Sequence, residues 1–275
     1  MAIKVIVTNH VIEVYEYEHE PYVPDKKKVD MMTTYLLTGD ETVFEKSRPP
    51  AWLEQVKHEV KQRHNGRAAR ANFRRLVLQN FTGDANFITL TLRDTAAFPD
   101  GTPIDVKSIA DANKAFDQFM KRLRRRYGKD FKYIVVVEFQ DEKGRGAVHF
   151  HLLADLGLKW QGSDNGEECR ALERWFAQEM WQHGFVDIKD VQHVDNLGAY
   201  MSKYMVKRMD DERLAGKKAY RGSRNMGRPL VLRGADAQEI IDIYNLKAQK
   251  EVSANSYESE YLGQITYKQF NLKRL

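Results

Sequence analysis

Short stretches of the chain alternate between apolar and polar residues, and a period of two predicts β-strands. The stretch VIVTNHVIEVYEYE predicts a hairpin that turns near Asn9 and His10. In a later stretch, FITLTL, the alternation places Thr89 and Thr91 on one side of a strand and the aliphatic residues on the other. Residues 25–50 are polar, contain two adjacent prolines and indicate a loop.

Other segments repeat their apolar residues at helical spacing. Residues 51–80 are typical of a helix. A second helix is expected to start near Asp105, a good N-cap, and to stop at Gly128 after a run of cations that suits a helix C-terminus. The segments EECRALERWFAQEMWQ and VDNLGAYMSKYMVKRM predict two more helices, the latter capped by Asp195 or Asn196.

Two apolar runs, FKYIVVVEF and AVHFHLL, flank the loop DEKGRG and predict a β-hairpin. With this loop, Gln140 pairs with Ala147 and Glu138 lies opposite His149. His149 and His151 point to the same face because side chains alternate along a strand. One carboxylate and two imidazoles on one face suit a divalent cation with open coordination positions. The alternative is a pair of half-exposed histidines without a metal.

The order of the elements predicts the fold class. Within residues 81–232 the order is strand, helix, strand, strand, helix and strand. This order is typical of an α+β unit, a two-layer antiparallel sheet with helices on one face in the split βαβ plan. Residues 1–80 are expected to add an N-terminal hairpin and a basic helical arm, and residues 233–275 a C-terminal tail with a helix and a short strand.

Composition narrows the class of protein only modestly. The 275 residues carry a net charge of +5, which permits a polyanionic partner. Cys169 is the single cysteine, so the chain can form no internal disulfide and a secreted disulfide scaffold is not expected. We find no apolar leader and no run of membrane-spanning length, so we expect a soluble, cytoplasmic protein with no membrane partner.

The helix VDNLGAYMSKYMVKRM carries two tyrosines one turn apart. Tyr200 and Tyr204 lie beside its apolar line, and Lys203 and Lys207 each follow a tyrosine by three residues. Two tyrosines at this spacing ordinarily serve amphipathic packing. Beside a metal-binding hairpin they acquire a chemical meaning, because a phenol can attack a phosphorus centre and hold the product as a covalent ester.

Three stretches together resemble the motifs of the HUH endonuclease superfamily, and within it the rolling-circle replication initiators. FITLTL is similar to the first motif, and EFQ…GAVHFHLL to the second, with histidine, a bulky hydrophobe, histidine and an upstream acid. YMSKYMVK is similar to the third motif in its two-tyrosine form. The resemblance covers roughly Phe81 to Arg208, and the following segment KKAYRGSRNMGRP also resembles its counterpart in such initiators.

The resemblance implies an RRM-like HUH fold and metal-dependent, site-specific nicking and rejoining of single-stranded origin DNA through a 5′-phosphotyrosine intermediate. Tyr200, or Tyr204, would be the nucleophile, with Tyr200 the first to act and Lys203 balancing charge. Mg²⁺ or Mn²⁺ would be held by Glu138, His149 and His151.

The implied partners are single-stranded or hairpin origin DNA, a host helicase and a host polymerase. The arginines of the helix 51–80 are either a solvated helix face or an arm that contacts phosphates. The residues expected to bind DNA are Arg67, Arg70, Arg74, Lys207, Arg208, Arg221 and Arg224.

Two other classes fit parts of the pattern. A metal-dependent amidohydrolase also starts from a His-x-His strand, but its barrel needs about 250 residues, and only about half of the chain follows His151. A non-catalytic protein could bind single-stranded nucleic acid on an RRM-like sheet, for which it would need aromatic residues on the open sheet face. Conjugative relaxases and tyrosine transposases share the metal hairpin, but relaxases usually carry their tyrosines near the N-terminus.

Overall fold

The computed structural model describes residues 2–19, 51–141, 144–209, 211–214, 217–259 and 262–274, with 51–65 and 206–209 described as backbone only. The predicted loop at residues 25–50 lies outside these ranges. No helix within the described ranges is both long enough and apolar enough to cross a membrane. The regular elements are β1 (Ala2–Val7), β2 (Val11–Tyr17), α1 (Ala51–Asn80), β3 (Asn86–Leu92), α2 (Ile109–Tyr127), β4 (Tyr133–Gln140), β5 (Ala147–Ala154), α3 (Glu167–Trp175), β6 (Gly184–Asp190), α4 (Leu197–Met209), β7 (Arg221–Gly222), β8 (Leu230–Arg233), α5 (Gly234–Ile243), β9 (Ser253–Ser259) and β10 (Gly263–Asn271).

The chain divides into two compact units, one formed by Met1–Arg67 with Leu230–Leu275 and the other by Ala68–Pro229. The first unit contains an antiparallel sheet in the order β8-β1-β2-β10-β9. The predicted N-terminal hairpin is confirmed as β1 and β2. The C-terminal segment contributes α5 and three strands of the same sheet, and a small core lies between α5 and the central strands.

The second unit contains an antiparallel sheet in the order β6-β3-β5-β4-β7. Its elements follow the predicted order β3-α2-β4-β5-α3-β6, which confirms the α+β class. The two central strands, β3 and β5, alternate as expected, with one set of side chains facing α2 and α3. That set forms the main core, in which Phe116, Phe150 and Trp181 are fully buried.

The opposite face of this sheet is covered in part by α4 and the end of α1. Phe73 and Val77 of α1 and Met201 of α4 pack there against Phe87 and Val136 of the sheet. This second core explains why β4 reads as a nearly continuous apolar run, since a strand covered on both faces loses its alternation. The polar residues of β3 and β5 lie on this face, next to α4.

The start of α2 differs from the prediction. Ser108, not Asp105, is the N-cap, and its side chain accepts a hydrogen bond from the Asp111 backbone N–H. The Asp105 carboxylate accepts from the Lys107 N–H instead, so it closes a turn before the helix. The predicted stop at Gly128 is confirmed, with a φ of 84° that favours glycine.

The end of α3 continues into a π-helical turn, Phe176–Trp181, that holds the edge strand β6 against β3. The Trp181 indole N–H donates to the Thr91 carbonyl oxygen at 2.9 Å. Arg122 of α2 donates to the carbonyl oxygens of Met180 and Trp181 and satisfies that helix end. Gly184 then begins β6 so close to the Thr91 carbonyl that a Cβ would clash with it.

His183, between this turn and β6, should make the fold sensitive to acid. Burial lowers its pKa to about 4, and the nearby Arg122 and Arg93 charges lower it further. Because the folded state favours the neutral ring, its contribution is complete above the unfolded pKa of about 6.5. This contribution is lost as the pH falls from there towards 4, and amounts to about 2 kcal/mol between pH 7 and pH 5.

We therefore expect His183→Phe to lose about 2 kcal/mol less stability than the parent chain between pH 7 and pH 5. Urea unfolding followed by tryptophan fluorescence measures this difference. His193→Phe, at an exposed position, is the matched control and should behave like the parent. An equal pH dependence in the His183 variant would show that this ring does not carry the effect.

Candidate active site

The register of the β4–β5 hairpin brings the acid and the imidazoles together. Gln140 pairs with Ala147 and Glu138 with His149, as the loop length predicts. On its other side β5 pairs with β3, which places His149 opposite Thr91 and His151 opposite Thr89. Paired residues share a face of the sheet, so all of these side chains except Ala147 form one polar surface.

Hydrogen bonds link the polar side chains of this surface. Glu138 Oε2 lies 2.8 Å from His151 Nε2, and the other ring nitrogen of His151 lies 3.4 Å from Thr89 Oγ1. His149 Nε2 lies 3.0 Å from Gln140 Oε1. Each imidazole is therefore oriented by a polar neighbour, an arrangement common around metal-binding histidines.

Electrostatics keeps His149 neutral at physiological pH. Burial lowers its pKa to about 4, and the nearby His151 and Arg145 lower it further, while Glu138 opposes them. A neutral ring presents a lone pair, which is the form that binds a metal ion.

The donor set of Glu138, His149 and His151 is chemically suited to a divalent cation. Within the described ranges, no group of three or more His, Cys, Asp or Glu side chains is already arranged as a metal site. Glu138 and His151 point at each other, and His149 points at Gln140. An ion would be held by these three side chains once the Glu138–His151 and His149–Gln140 hydrogen bonds are exchanged for coordination.

The helix α4 begins and packs as its sequence indicates. Between the two possible caps the structure selects Asn196, whose side-chain oxygen accepts a 2.8 Å hydrogen bond from the Ala199 N–H. Leu197, Met201 and Met205 form its buried line against the sheet. This packing turns the adjoining face of the helix, with both tyrosines, towards the polar surface.

Both tyrosines contact the ring of Phe87 on β3. The Tyr204 ring stacks on His151 with 3.9 Å between ring centroids, and lies 5.4 Å from Phe87. The Tyr200 ring meets Phe87 edge-on at 5.2 Å. Burial raises the pKa of Tyr204, and its interaction with Tyr200 raises it further.

The lysine that follows Tyr200 by three residues is exposed and lies near its ring. Lys203 Nζ is 5.5 Å from the centroid of the Tyr200 ring. The side chains of Lys207 and Arg208 lie outside the described residues, so their predicted roles stay predictions. The site thus combines two phenols, one ammonium, two imidazoles and one carboxylate.

Two comparisons with known proteins concern the same stretch of chain. Residues 85–209 match a family model for replication-associated proteins of the ORF2 type. These residues contain β3, the hairpin and α4, and therefore the whole polar surface with its tyrosines.

The chain is also similar to the replication-associated protein ORF4 of Chlamydia phage 1. The two are 31% identical over 102 residues, which cover 33% of this chain and 24% of the phage protein. The chain thus matches about a quarter of the length of that relative. No solved structure gives a significant match. The comparisons support a replication-associated protein of the phage or plasmid type.

The arginines predicted to bind DNA lie in different places. Arg67 and Arg70 are exposed on α1, whereas Arg74 is half-buried and its backbone meets the start of α4. Arg221 is held by Asn113 and Asp117 of α2, which makes it an anchor for β7. Arg224 is exposed and lines a cavity beside β4.

The sequence interpretation missed four residues of this region. Thr89 and Phe87 were assigned only to a strand, although they contact His151 and both tyrosines. Arg213 follows α4 and pairs with Asp141 at the tip of the hairpin, with its guanidinium 3.7 Å from the Phe139 ring centroid. The alternation of β3 could have indicated the first two, but no local pattern indicates a contact between positions 72 residues apart.

The position of α4 depends on Gly198. A Cβ at this residue would lie 2.6 Å from the Arg74 carbonyl oxygen and 2.9 Å from Leu78 Cγ. In an exposed helix, glycine to alanine stabilises by about 1 kcal/mol. Here Gly198→Ala should instead destabilise the protein by about 1–3 kcal/mol, because α4 must move away from α1.

Urea unfolding measures this change in the free energy of unfolding. Ala199→Gly, at the neighbouring exposed position, is the control and should cost only the helix propensity of about 1 kcal/mol. A stabilised Gly198→Ala variant would mean that the two helices do not pack as closely as described.

Proposed function

We propose that this protein is a replication initiator that nicks and rejoins single-stranded origin DNA through a tyrosine–DNA ester. The observation that carries the proposal is the position of Tyr200 and Tyr204 over the surface that presents Glu138, His149 and His151. The stacking of Tyr204 on His151 makes this more than a resemblance of motifs. The similarity of residues 85–209 to replication-associated proteins supports the same function.

The proposed reaction is a transfer between two oxygen atoms. The Tyr200 phenol oxygen attacks the scissile phosphorus and forms a bond to it, and the phenol proton is lost. The bond from phosphorus to the 3′ oxygen breaks, and that oxygen takes a proton to become a free 3′-OH. The 5′ end stays joined to the tyrosine, so rejoining is the reverse transfer and needs no ATP.

Tyr200 is proposed as the first nucleophile because of its surroundings. Lys203 lies beside its ring, and an ammonium there favours the charged oxygen of the attacking phenol and the charged phosphate. Tyr204 packs beneath it against His151 and Phe87. The second tyrosine is then available to accept the displaced strand while the first is occupied.

A divalent cation, Mg²⁺ or Mn²⁺, is the proposed cofactor. Glu138, His149 and His151 would hold it, with the remaining coordination positions open. When bound, it would supply positive charge that offsets the charge of the transition state on the phosphate. Thr89 and Gln140 would orient the imidazoles by the contacts described above.

The proposal predicts a protein–DNA adduct that survives denaturation. A pool of random-sequence single-stranded oligonucleotides labelled at the 3′ end, incubated with Mn²⁺, should transfer its label to the protein. The same pool labelled at the 5′ end should not, because the 5′ portion is released with a free 3′-OH. Denaturing gels measure both, and sequencing the captured DNA identifies the site.

Three controls make the assay specific. EDTA should abolish the adduct, and the double variant Tyr200→Phe/Tyr204→Phe should lose it by more than about 1,000-fold, because both phenols are gone. Tyr127→Phe, on a helix of the opposite face, should leave it unchanged. An adduct that persists in the double variant would exclude α4 from the chemistry. Binding of the pool with no adduct would favour the non-catalytic single-strand binder.

A further inference from the structure

A cavity of about 660 Å³ lies beside the N-terminal end of β4, away from the polar surface. Three segments of the second unit form it: the end of α2, the start of β4, and the chain that leads through β7. Its volume falls in the range of ligand-binding pockets. The lining residues are Arg124, Lys129, Phe131, Tyr133, Lys218, Tyr220, Arg221, Gly222, Ser223, Arg224 and Asn225.

The lining has the chemistry of a site for a polyanion with flat apolar groups. Five of these residues are cationic, and no acidic residue is among the described residues that line the cavity. Arg221 is anchored to α2, so Arg124, Lys129 and Arg224, all exposed, provide the outward charge. Three aromatic rings complete the wall, which a charged helix face exposed to solvent would not include.

The walls of the cavity are held in place rather than loosely attached. Gly222 pairs with Ile134 of β4, and the Ser223 hydroxyl accepts from the Tyr133 N–H at 3.2 Å. Asn225 donates to the Asp130 carbonyl oxygen at 2.6 Å. The Tyr220 ring packs on Phe73 at 5.1 Å between centroids, which connects the cavity to the core beneath α4.

We propose that this cavity binds the single strand of DNA three to five nucleotides from the scissile phosphate; this rests on the proposed function. Val135 and Tyr133 are three and five residues from Glu138 along β4, or roughly 10 and 17 Å at the rise of a strand. Stacked nucleotides advance by about 3.4 Å each. Cations contact the backbone and the aromatic rings stack on unpaired bases, so a duplex fits less well.

The first test compares two triple variants of equal charge change. Arg124→Gln/Lys129→Gln/Arg224→Gln removes the outward cations of the cavity. Lys121→Gln/Arg125→Gln/Arg126→Gln removes three exposed cations of α2 that do not line it. Fluorescence anisotropy with a labelled 20-nucleotide oligo-dT gives the affinity of each protein at several salt concentrations.

The cavity variant should bind at least about tenfold more weakly, and its slope of log affinity against log salt should fall by about 2, since each single-strand phosphate contributes about 0.7. The control variant should keep the parent slope. Equal losses in both variants, or an unchanged slope, would overturn the proposal. A larger loss for a hairpin duplex than for oligo-dT would overturn the assignment to a single strand, and full competition by inorganic phosphate would reduce it to a phosphate site.

The second test locates the contact relative to the nick. With full-length captured substrates, the cavity variant should form adduct more slowly than the parent at subsaturating DNA. With substrates cut to two nucleotides on the side that reaches the cavity, the two proteins should react equally. A defect that persists with both truncations would place the contact elsewhere. Failure of the proposed function is distinct, since the parent would then form no adduct while the salt slopes still differ.

An exposed aromatic residue on the polar surface supports a second and independent inference. Phe185 of β6 is 68% exposed, although it lies on the same sheet as the core. The registers place it opposite Thr91, which is opposite His149, so one row of the sheet runs from Phe185 to Glu138. Two strand spacings separate Phe185 from His149, or roughly 10 Å.

We infer that Phe185 stacks on an unpaired base of the strand two or three nucleotides from the scissile phosphate, a contact worth about 1–3 kcal/mol. Phe185→Ala should weaken oligo-dT binding at least about fivefold without changing the salt slope. Phe185→Trp should restore it, and Ile243→Ala, at an exposed position of the other unit, should have no effect.

A fluorescent base, 2-aminopurine, placed in turn at each position of a captured substrate locates the stack. One position should be quenched by the parent protein and released in Phe185→Ala. An alanine variant with parent affinity, or quenching that does not respond to it, would overturn the inference. The proposed nicking would remain tested separately by the adduct.

Discussion

The pairing of β5 with both of its neighbours is the constraint on which the site depends. Because side chains alternate along a strand, a slip by one residue would turn His149 and His151 into the apolar core and bring Phe150 to the surface. Phe150 is fully buried between α2 and the sheet, so such a slip would expose a large aromatic ring. The hydrophobic core therefore holds the polar row in register.

The second constraint is the packing of α4 across the polar surface. Its apolar line lies on the core formed by Phe73, Phe87 and Leu153, and Gly198 lets it approach α1 closely. The tyrosine rings are then placed by contacts with Phe87 and His151 rather than by the helix alone. Partial burial in this position weakens hydration of charged forms, which favours the neutral His149 ring and raises the pKa of Tyr204.

The chain that follows α4 returns to the sheet and secures its edge. Arg213 contacts Asp141 at the tip of the hairpin, and its pairing with this arginine lowers the pKa of the Asp141 carboxyl. Further on, β7 pairs with β4, and Arg221 reaches α2. One continuous segment thus connects the tyrosine helix, the hairpin and the basic cavity, so that these features belong to one unit of the protein.

The sequence by itself determined the local features of this protein. Period-two alternation and loop length were sufficient for the β4–β5 register, because a hairpin is a contact between neighbours in the chain. Helical spacing was sufficient for the apolar line of α4, but the choice between caps was not: Asn196 caps α4, and Ser108 rather than Asp105 caps α2. A cap depends on the path by which the chain enters the helix, and that path is set by the surrounding packing.

Only the tertiary structure decided which distant residues meet. The stacking of Tyr204 on His151, the contact of Arg213 with Asp141 and the union of β1 and β2 with β8 and β10 in one sheet join segments far apart in the chain. No short-range pattern records such contacts, because they follow from the burial of apolar surface by the whole unit. The identity of the chemical groups could be predicted from the sequence, whereas their arrangement in space required the fold.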